Sequence, residues 1–505
     1  LMSMQQIMFA SLASGSDFII EGSGLFDGSS GYLSRTPGSA GNRKTFTIEL
    51  LFKINKLGTS RWLVASSGAP GRFYLDLKTD DKLRIKFQND SDVTKLEWVT
   101  TQVFRDVGAY LQAVVTIDTD TASPVTRLWI NGSEVTDFTK TTDNLAQNDV
   151  SSWNDAKVQT IGARDDASQF CDVYVARATS LDGTTVTDAS DFGELTDDGF
   201  WSISDVSDLD FGDNGFLLTG GSAISAGTDS SGNSNNFSKT GSIISTSDSP
   251  TSGGDDNEFG NYCTWNPLDN SPSYLNTYSE GNLKVVSKSG NAFMRSSPTM
   301  FVGSGKYYAE IKFTANAVNG SIGFLSSAAG HRSANNDGIG YENTGALAYG
   351  ADGRTLVNGS VTATGGTTFT TNDVMMLALD MENHDVYIGK NGTWLFSGVP
   401  DESTGAFYSD GILLSDEWGF ACNGYGNPVG AYVTNFGAST FAYPQGATYN
   451  TEGFLSLSTA NLSTPAIINP DDHFHSQIVA KSGTTTTFTL PDWITTYEYL
   501  IIIKN

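Results

Sequence analysis

Residues 371–398 read TNDVMMLALDMENHDVYIGKNGTWLFSG, and their reading decides the fold class. Residues 374–381 form an apolar run of the right length for one buried strand. Glu382, Asn383, His384 and Asp385 make a polar turn, in which His384 is expected to face solvent. Residues 386–390 are a second strand. Asn391-Gly392 suits a two-residue type I′ turn, because both central positions need positive φ. Residues 393–396 continue as a third strand, with Trp394 expected in the core. The stretch is an antiparallel meander.

The device recurs. Residues 113–138 read AVVTIDTDTASPVTRLWINGSEVTDF. An apolar run ends in Asp118, as the other ends in Asp380. A polar turn follows, then an apolar run, then Asn131-Gly132. This shared order predicts two sandwich domains of one design. Short alternating runs between Gly, Asn and Asp turns predict an all-β chain: tandem antiparallel β-sandwiches with a small C-terminal β piece.

The chain has 29 Lys+Arg against 56 Asp+Glu, a formal net charge of −27. Such a surface repels phosphate backbones, which argues against nucleic acid as a partner. No apolar run reaches the length of a membrane span. The opening LMSMQQIMFASLASGSDFII lacks the basic start of a secretory signal. Cys171, Cys263 and Cys422 are odd in number and widely spaced. That argues against a disulfide scaffold or zinc site and points to synthesis in a reducing cytosol.

Residues 1–16 read as a connecting segment and 17–200 as the first sandwich. Residues 201–262 read as a Ser/Gly/Asn/Asp-rich strap or linker, too poor in apolar residues to bury much surface alone. Residues 263–440 read as the second sandwich and 441–505 as a small C-terminal module or docking segment. In RFYLDLKTDDKLRIKF the expected hairpin turn is Lys78-Thr79-Asp80-Asp81. The ending YEYLIIIKN is expected to be buried against a neighbour.

LFDGSSGYLSRTPGSAGNRKTFTIELLFKI, DDKLRIKF, FRDVGAYLQAVVTID and LWINGSEVTDF resemble the concanavalin A-like, laminin-G-type jelly rolls of tailed-phage virion proteins. SGKYYAEIKF, SIGFLSS, GIGYENTGALAYGADG, the opening meander and GAYVTNFG resemble a SPRY domain. The join TDSSGNSNNFS…DSPTSG…GNYCTWNPLD is similar to what links these modules in structural proteins of marine and cyanobacterial phages. The resemblance runs over about residues 24–440. It implies a virion component made in the host cytoplasm: a tail fibre, tail-tip protein or capsid appendage. The implied partners are other virion proteins and a host surface glycan or protein. A homo-oligomer, such as a trimer, would cover exposed sheet edges; membrane insertion is not implied.

Concanavalin A-like sandwiches also host glycosidases, which need two carboxylates about 5–9 Å apart across a cleft. Glu49 stands alone in TIELLF and Glu310 alone in YAEIKF, and each reads as an exposed or edge side chain. No Gly-x-Ser-x-Gly elbow accompanies the four histidines. No catalytic residue is assigned, and the chain reads as a non-enzyme; a polysaccharide depolymerase is the alternative. His473-Phe474-His475 would place two imidazoles on one strand face, a weak metal signal. No cofactor is required, and calcium is the candidate ion. Asp205, Asp208, Asp210 and Asp213 form one oxygen-rich cluster, and Asp229, Asn233 and Asn235 another, without the EF-hand order. By the SPRY resemblance, loops at one end form the partner surface. The matching residues are Tyr341, Asn343, Tyr349, Asp352, Arg354, Asn423, Tyr425 and Asn427. The expected function is host-surface adhesion or particle decoration through many weak contacts, with a purely architectural decoration protein as a further alternative.

Overall fold

Ten residues, Thr45–Ile54, form the strand on which the first sandwich is built. Phe46, Ile48, Leu50, Phe52 and Ile54 point to one face and join the main core. Period-2 alternation puts Thr47, Glu49, Leu51 and Lys53 on the other face. The computed structural model describes residues 18–66, 70–196, 201–254, 257–269, 275–290, 292–329, 338, 339, 345–409, 413, 416–444 and 453–462. Among them the first sandwich has two eight-stranded sheets, and the second a nine-stranded and a six-stranded sheet. All strand pairs in both are antiparallel, except where Leu455–Ser456 runs parallel to Lys306–Ala315.

The two bodies repeat one design in the same register. Thr45 pairs with Asp118 and Glu49 with Val114; Lys306 pairs with Asp380 and Glu310 with Met376. The Asn-Gly turns match as well. Asn131 N donates to Gln112 O at 3.0 Å and its Oδ1 accepts from Gln112 N at 2.8 Å. Asn391 N donates to Val374 O at 2.9 Å and its Oδ1 accepts from Val374 N at 2.8 Å. Each acceptor residue lies six positions before the conserved-register Asp. Asn131 and Gly132 have φ 45 and 77, Asn391 and Gly392 φ 48 and 86, as a type I′ turn requires.

Glu49 and Glu310 correct the sequence reading. Neither is exposed: they are 1% and 4% accessible. Each sits mid-strand on a face that a later segment covers. Glu49 pairs with the equally buried Arg177 at 3.0 Å and accepts from Gln112 and Thr179. Arg177 in turn donates to Ser204 O and Phe192 O of the covering segment, whose Val186, Phe192, Val206 and Phe211 pack on Val114 and Trp129. Glu310 accepts from Tyr308 Oη and from the main-chain N of Ala442 and Tyr443. Phe441 and Phe454 then close over Tyr308 and Tyr387.

Two boundaries shift. The Ser/Gly-rich segment is no linker: Phe216–Thr219 pairs with Arg177–Ser180, Ile243–Thr246 with Ser23–Phe26, and Ser238–Thr240 with Tyr32–Ser34. Of its apolar residues, Phe216, Leu218, Ile224, Phe237 and Ile243 enter the first core. Residues 441–444 and 453–462 belong to the second sandwich, since Leu457 joins its core and Leu455–Ser456 its sheet. Residues 1–16, TTTTFTL, YEYLIIIKN and the His473/His475 pair lie outside the described residues. Both sandwiches fall within one compact unit.

Their junction is polar. Asn282 Nδ2 donates to Asn55 O at 2.9 Å, and Tyr174 Oη to Gly281 O. Asp172 accepts from Asn55 Nδ2 at 3.1 Å. Burial pushes its carboxyl up to about 6, against an opposing hydrogen bond from Asn55.

Replacing Arg177 with Ala leaves Glu49 buried and uncompensated. The expected loss is about 3–5 kcal/mol, read from denaturant midpoints. Asp172 favours its protonated form in the fold. Its contribution is therefore complete below its ordinary value of 3.8 and is lost as pH rises through about 6. Asp172→Asn should gain on the wild type by on the order of 2 kcal/mol between about pH 4 and pH 7. Parallel stability profiles would refute this.

Candidate functional site

The site begins at a hairpin turn. Asp81 closes the turn after Lys78 with φ 59 and donates its N–H to Lys78 O at 3.0 Å. Its carboxylate, almost wholly buried, accepts from Gly58 N at 2.7 Å, Arg61 Nη2 at 3.0 Å and Arg105 Nε at 3.0 Å. Its carbonyl accepts from Phe104 N at 2.7 Å. A residue that the sequence marks only as a turn thus fastens residues 101–109, and Phe104 drives into the core.

Two cavities flank that loop, each of about 660 Å³, within the roughly 300–1,000 Å³ typical of ligand sites. The first opens at the end of the first sandwich and is lined by Gln102, Val103, Asn131, Ser133 and Thr136. The second lies between the sandwiches and is lined by Asn266, Leu268, Met300, Phe301, Ser327 and Thr459. Arg105, Asp106 and Ala109 belong to both walls. Asp106, Glu134 and Asp137 outnumber Arg105 in the first, and Asp106, Asp269 and Glu417 in the second. Hydroxyls and amides beside exposed Val103 and Leu268, under a negative potential, suit a neutral polyol and disfavour an anion.

The expected SPRY-loop residues are placed differently. Tyr341 and Asn343 lie outside the described residues. Tyr349 is fully buried, donates to Thr367 O at 2.6 Å and packs against Phe369, Phe396 and Phe407. Asn423 is fully buried and its Oδ1 accepts from Ile339 N. These two are interior residues, because sheet pairing rather than loop position governs them. Asp352 and Arg354 form a turn ion pair at 2.6 Å, Tyr425 packs on Phe293, and Asn427 is exposed. Ser321 pairs with both Gly350 and Asn423, so the turns bearing Asp352 and Asn427 share one end of the six-stranded sheet. The cavity beside Ser326 and Glu417 lies at the other end.

The oxygen-rich clusters are turn acceptors. Asp205 accepts from Ser207 N and Oγ, and Asp210 from Gly212 N. Asp229 accepts from Leu217 N, Ser231 N and Oγ, and Asn235 N. Asn233 donates to Gly212 O and Gly215 O. Asp208 and Asp213 are exposed, and the Asp213 carbonyl accepts from Asn235. Among the described residues no group of three or more His, Cys, Asp or Glu is placed to hold a metal. Trp394 is half-buried against Tyr308 and Tyr387, and His384 turns the hairpin with φ 58.

One acidic pair escaped the sequence reading, because its members come from different strands. Arg84 bridges Asp76, at 2.9 Å through two nitrogens, and Glu97 at 3.4 Å. Lys86 also holds Glu97 at 3.1 Å. Burial works against the ionised Glu97, yet Lys86 and Arg84 keep its carboxyl below the usual range. Both carboxylates are occupied by cations.

Residues 27–180 match the family model described as the concanavalin A-like lectin/glucanases superfamily. The match runs from the last residue of the strand Ser23–Asp27 into the strand Asp172–Asp182 of the first sandwich. No curated protein matches the sequence. Similar solved structures include the SPRY domain of human HERC1, at 18% identity over 34% of this chain and 96% of that one, TM-score 0.27. The heptameric SAP-like pentraxin of Limulus polyphemus is similar at 11% identity over 34% and 81%, TM-score 0.26. Mouse laminin alpha1 domains LG4-5 are similar at 9% identity over 81% and 83%, TM-score 0.28.

Asp81→Ala should strip Arg61 of its buried partner and free residues 101–109. Their amide exchange should rise well above that of Arg72–Leu77, with a stability loss of about 3 kcal/mol or more. Arg105→Ala, at a half-exposed side chain, should cost under about 1 kcal/mol. Equal protection of the loop in both variants would contradict the clamp.

Proposed function

We propose that this chain is a non-enzymatic adhesion protein that holds neutral host-surface glycan in the cavities beside residues 101–109. In keeping with its sequence resemblance, it would work as a displayed virion component: a tail fibre, tail-tip protein or capsid appendage. The observation that carries the reading is the pair of cavities flanking one clamped loop on a concanavalin A-like sandwich. Their walls mix hydroxyl, amide and apolar groups, the pattern that sugar faces and edges need. The ion-paired state of Asp76 and Glu97 supports binding over hydrolysis, since a general acid and base must be free to exchange protons. A shallow, solvent-open site favours weak single contacts, so adhesion would come from many copies. Linking sites in this way raises avidity about 10²–10⁴-fold without new contacts.

The test is binding of the purified chain to arrayed neutral and anionic glycans, free and presented on beads. Neutral glycans are expected to bind, far more tightly on the multivalent beads. Val103→Asp, at a side chain already 43% exposed, should cut bead binding at least tenfold with unchanged melting. A folded chain that binds no glycan would leave the purely architectural reading in its place. Reducing ends released from the glycan would instead favour the depolymerase.

A further inference from the structure

Lys53 stands on the covered face of Thr45–Ile54, paired with Tyr110 on one side and Tyr174 on the other. Its Nζ lies 5.4 and 4.7 Å from their ring centroids. It donates to Asp248 Oδ2 at 2.5 Å and to Asn261 Oδ1 at 2.8 Å. The Lys53 and Asp248 side chains are completely buried, and Asn261 is 8% accessible. Asp248 Oδ1 accepts from Tyr110 Oη at 2.7 Å, and Tyr262 N donates to Oδ2. Asn261 Nδ2 points the other way, donating to Gly108 O, and the residue lines the cavity between the sandwiches.

A buried amine, a carboxylate and a carboxamide in mutual contact are more than an ion pair. Burying a lone Lys–Asp pair carries a desolvation cost of several kcal/mol per ion. Transferring the proton within the pair removes both charges. It also leaves a neutral amine, the nucleophilic form of lysine. Burial pushes the Asp248 carboxyl up, against the pull of Lys53 and Tyr110, so the acid can hold that proton. Fixed contact replaces a bimolecular encounter, an advantage of about 10⁵–10⁸ M in effective concentration for well-oriented groups.

We propose that Lys53 and Asn261 become joined by an amide between Lys53 Nζ and Asn261 Cγ, with Asp248 carrying the proton. Lys53 first gives a proton to Asp248. The amine then adds to Cγ, and one proton passes from the attacking nitrogen to Nδ2. The Cγ–Nδ2 bond breaks and ammonia departs into the cavity that Asn261 lines. As it leaves it takes the proton held by Asp248, and ammonium is the only other product. No oxidant or cofactor takes part. The bond would tie the central strand of the first sandwich to the entry of the second.

The test is the mass of the full chain, denatured and reduced, followed by tryptic mapping. The expected mass is one ammonia below that of the sequence. The expected map has a branched peptide linking the segments of Lys53 and Asn261, and no cleavage after Lys53. Asp248→Asn should restore the full mass. Asn261→Ala, which keeps the Lys53–Asp248 pair, should do so in a chain that still folds. A wild-type chain of full mass cleaved after Lys53 would overturn the proposal. So would ammonia loss that maps to the Asn131-Gly132 or Asn391-Gly392 peptides.

Discussion

A carboxylate in the middle of a strand covered on both faces has to be given donors, and the architecture follows from how those donors arrive. Glu49 and Glu310 occupy the same register position in the two sandwiches. In water either would be solvated freely; under a covering segment each unsatisfied charge would cost several kcal/mol. The first sandwich answers with a cation, Arg177, which passes the connection on to Ser204 O and Phe192 O. The second answers with neutral donors, two of them the backbone of the covering segment itself. Hydrogen bonds to a charged group contribute about 1.5–3 kcal/mol each. Either way the glutamate fixes where the cover lies, and what remains open is the sandwich ends and the loop between them.

That is why the open surface is so localised. The outer sheet faces are packed by Val186, Phe192, Val206 and Phe211 in the first sandwich and by Phe441 and Phe454 in the second. The loop at 101–109 stands between the two cavities because Asp81 holds it there through Arg105 Nε and Phe104 N. The same restriction explains the polar junction: Asn55, Asp172, Gly281 and Asn282 meet through directed bonds that set one orientation.

Much of the fold was legible because its signals are local. Asn131-Gly132 and Asn391-Gly392 encode their turn in two residues, and the alternation in TFTIELLFKI encodes the strand. The Ser/Gly-rich segment misled because composition counts apolar residues without showing their partners. Phe216 and Phe237 are sparse in sequence yet meet edge-to-face at 4.9 Å inside the first core. The burial of Glu49 was illegible because its cover comes from residues beyond 185. Tyr349 and Asn423 looked like loop residues but are held by strand pairing. Asp205 and Asp229 looked like ion ligands, although the same acceptor geometry serves neighbouring N–H groups. The cavities had no local signature, since their walls converge from separate segments, Ile54 to Asp137 in the first and Arg105 to Leu462 in the second.

Residues 105, 106 and 109 form a partition between the two cavities. Under the proposed glycan-binding reading, a guest that displaced the Arg105–Asp106 edge from one chamber would alter the rim presented to the other. Whatever factor the first occupant imposes on the second's affinity, the second must return to the first, for thermodynamic linkage is reciprocal. A thin shared wall would therefore make two such sites answerable to each other.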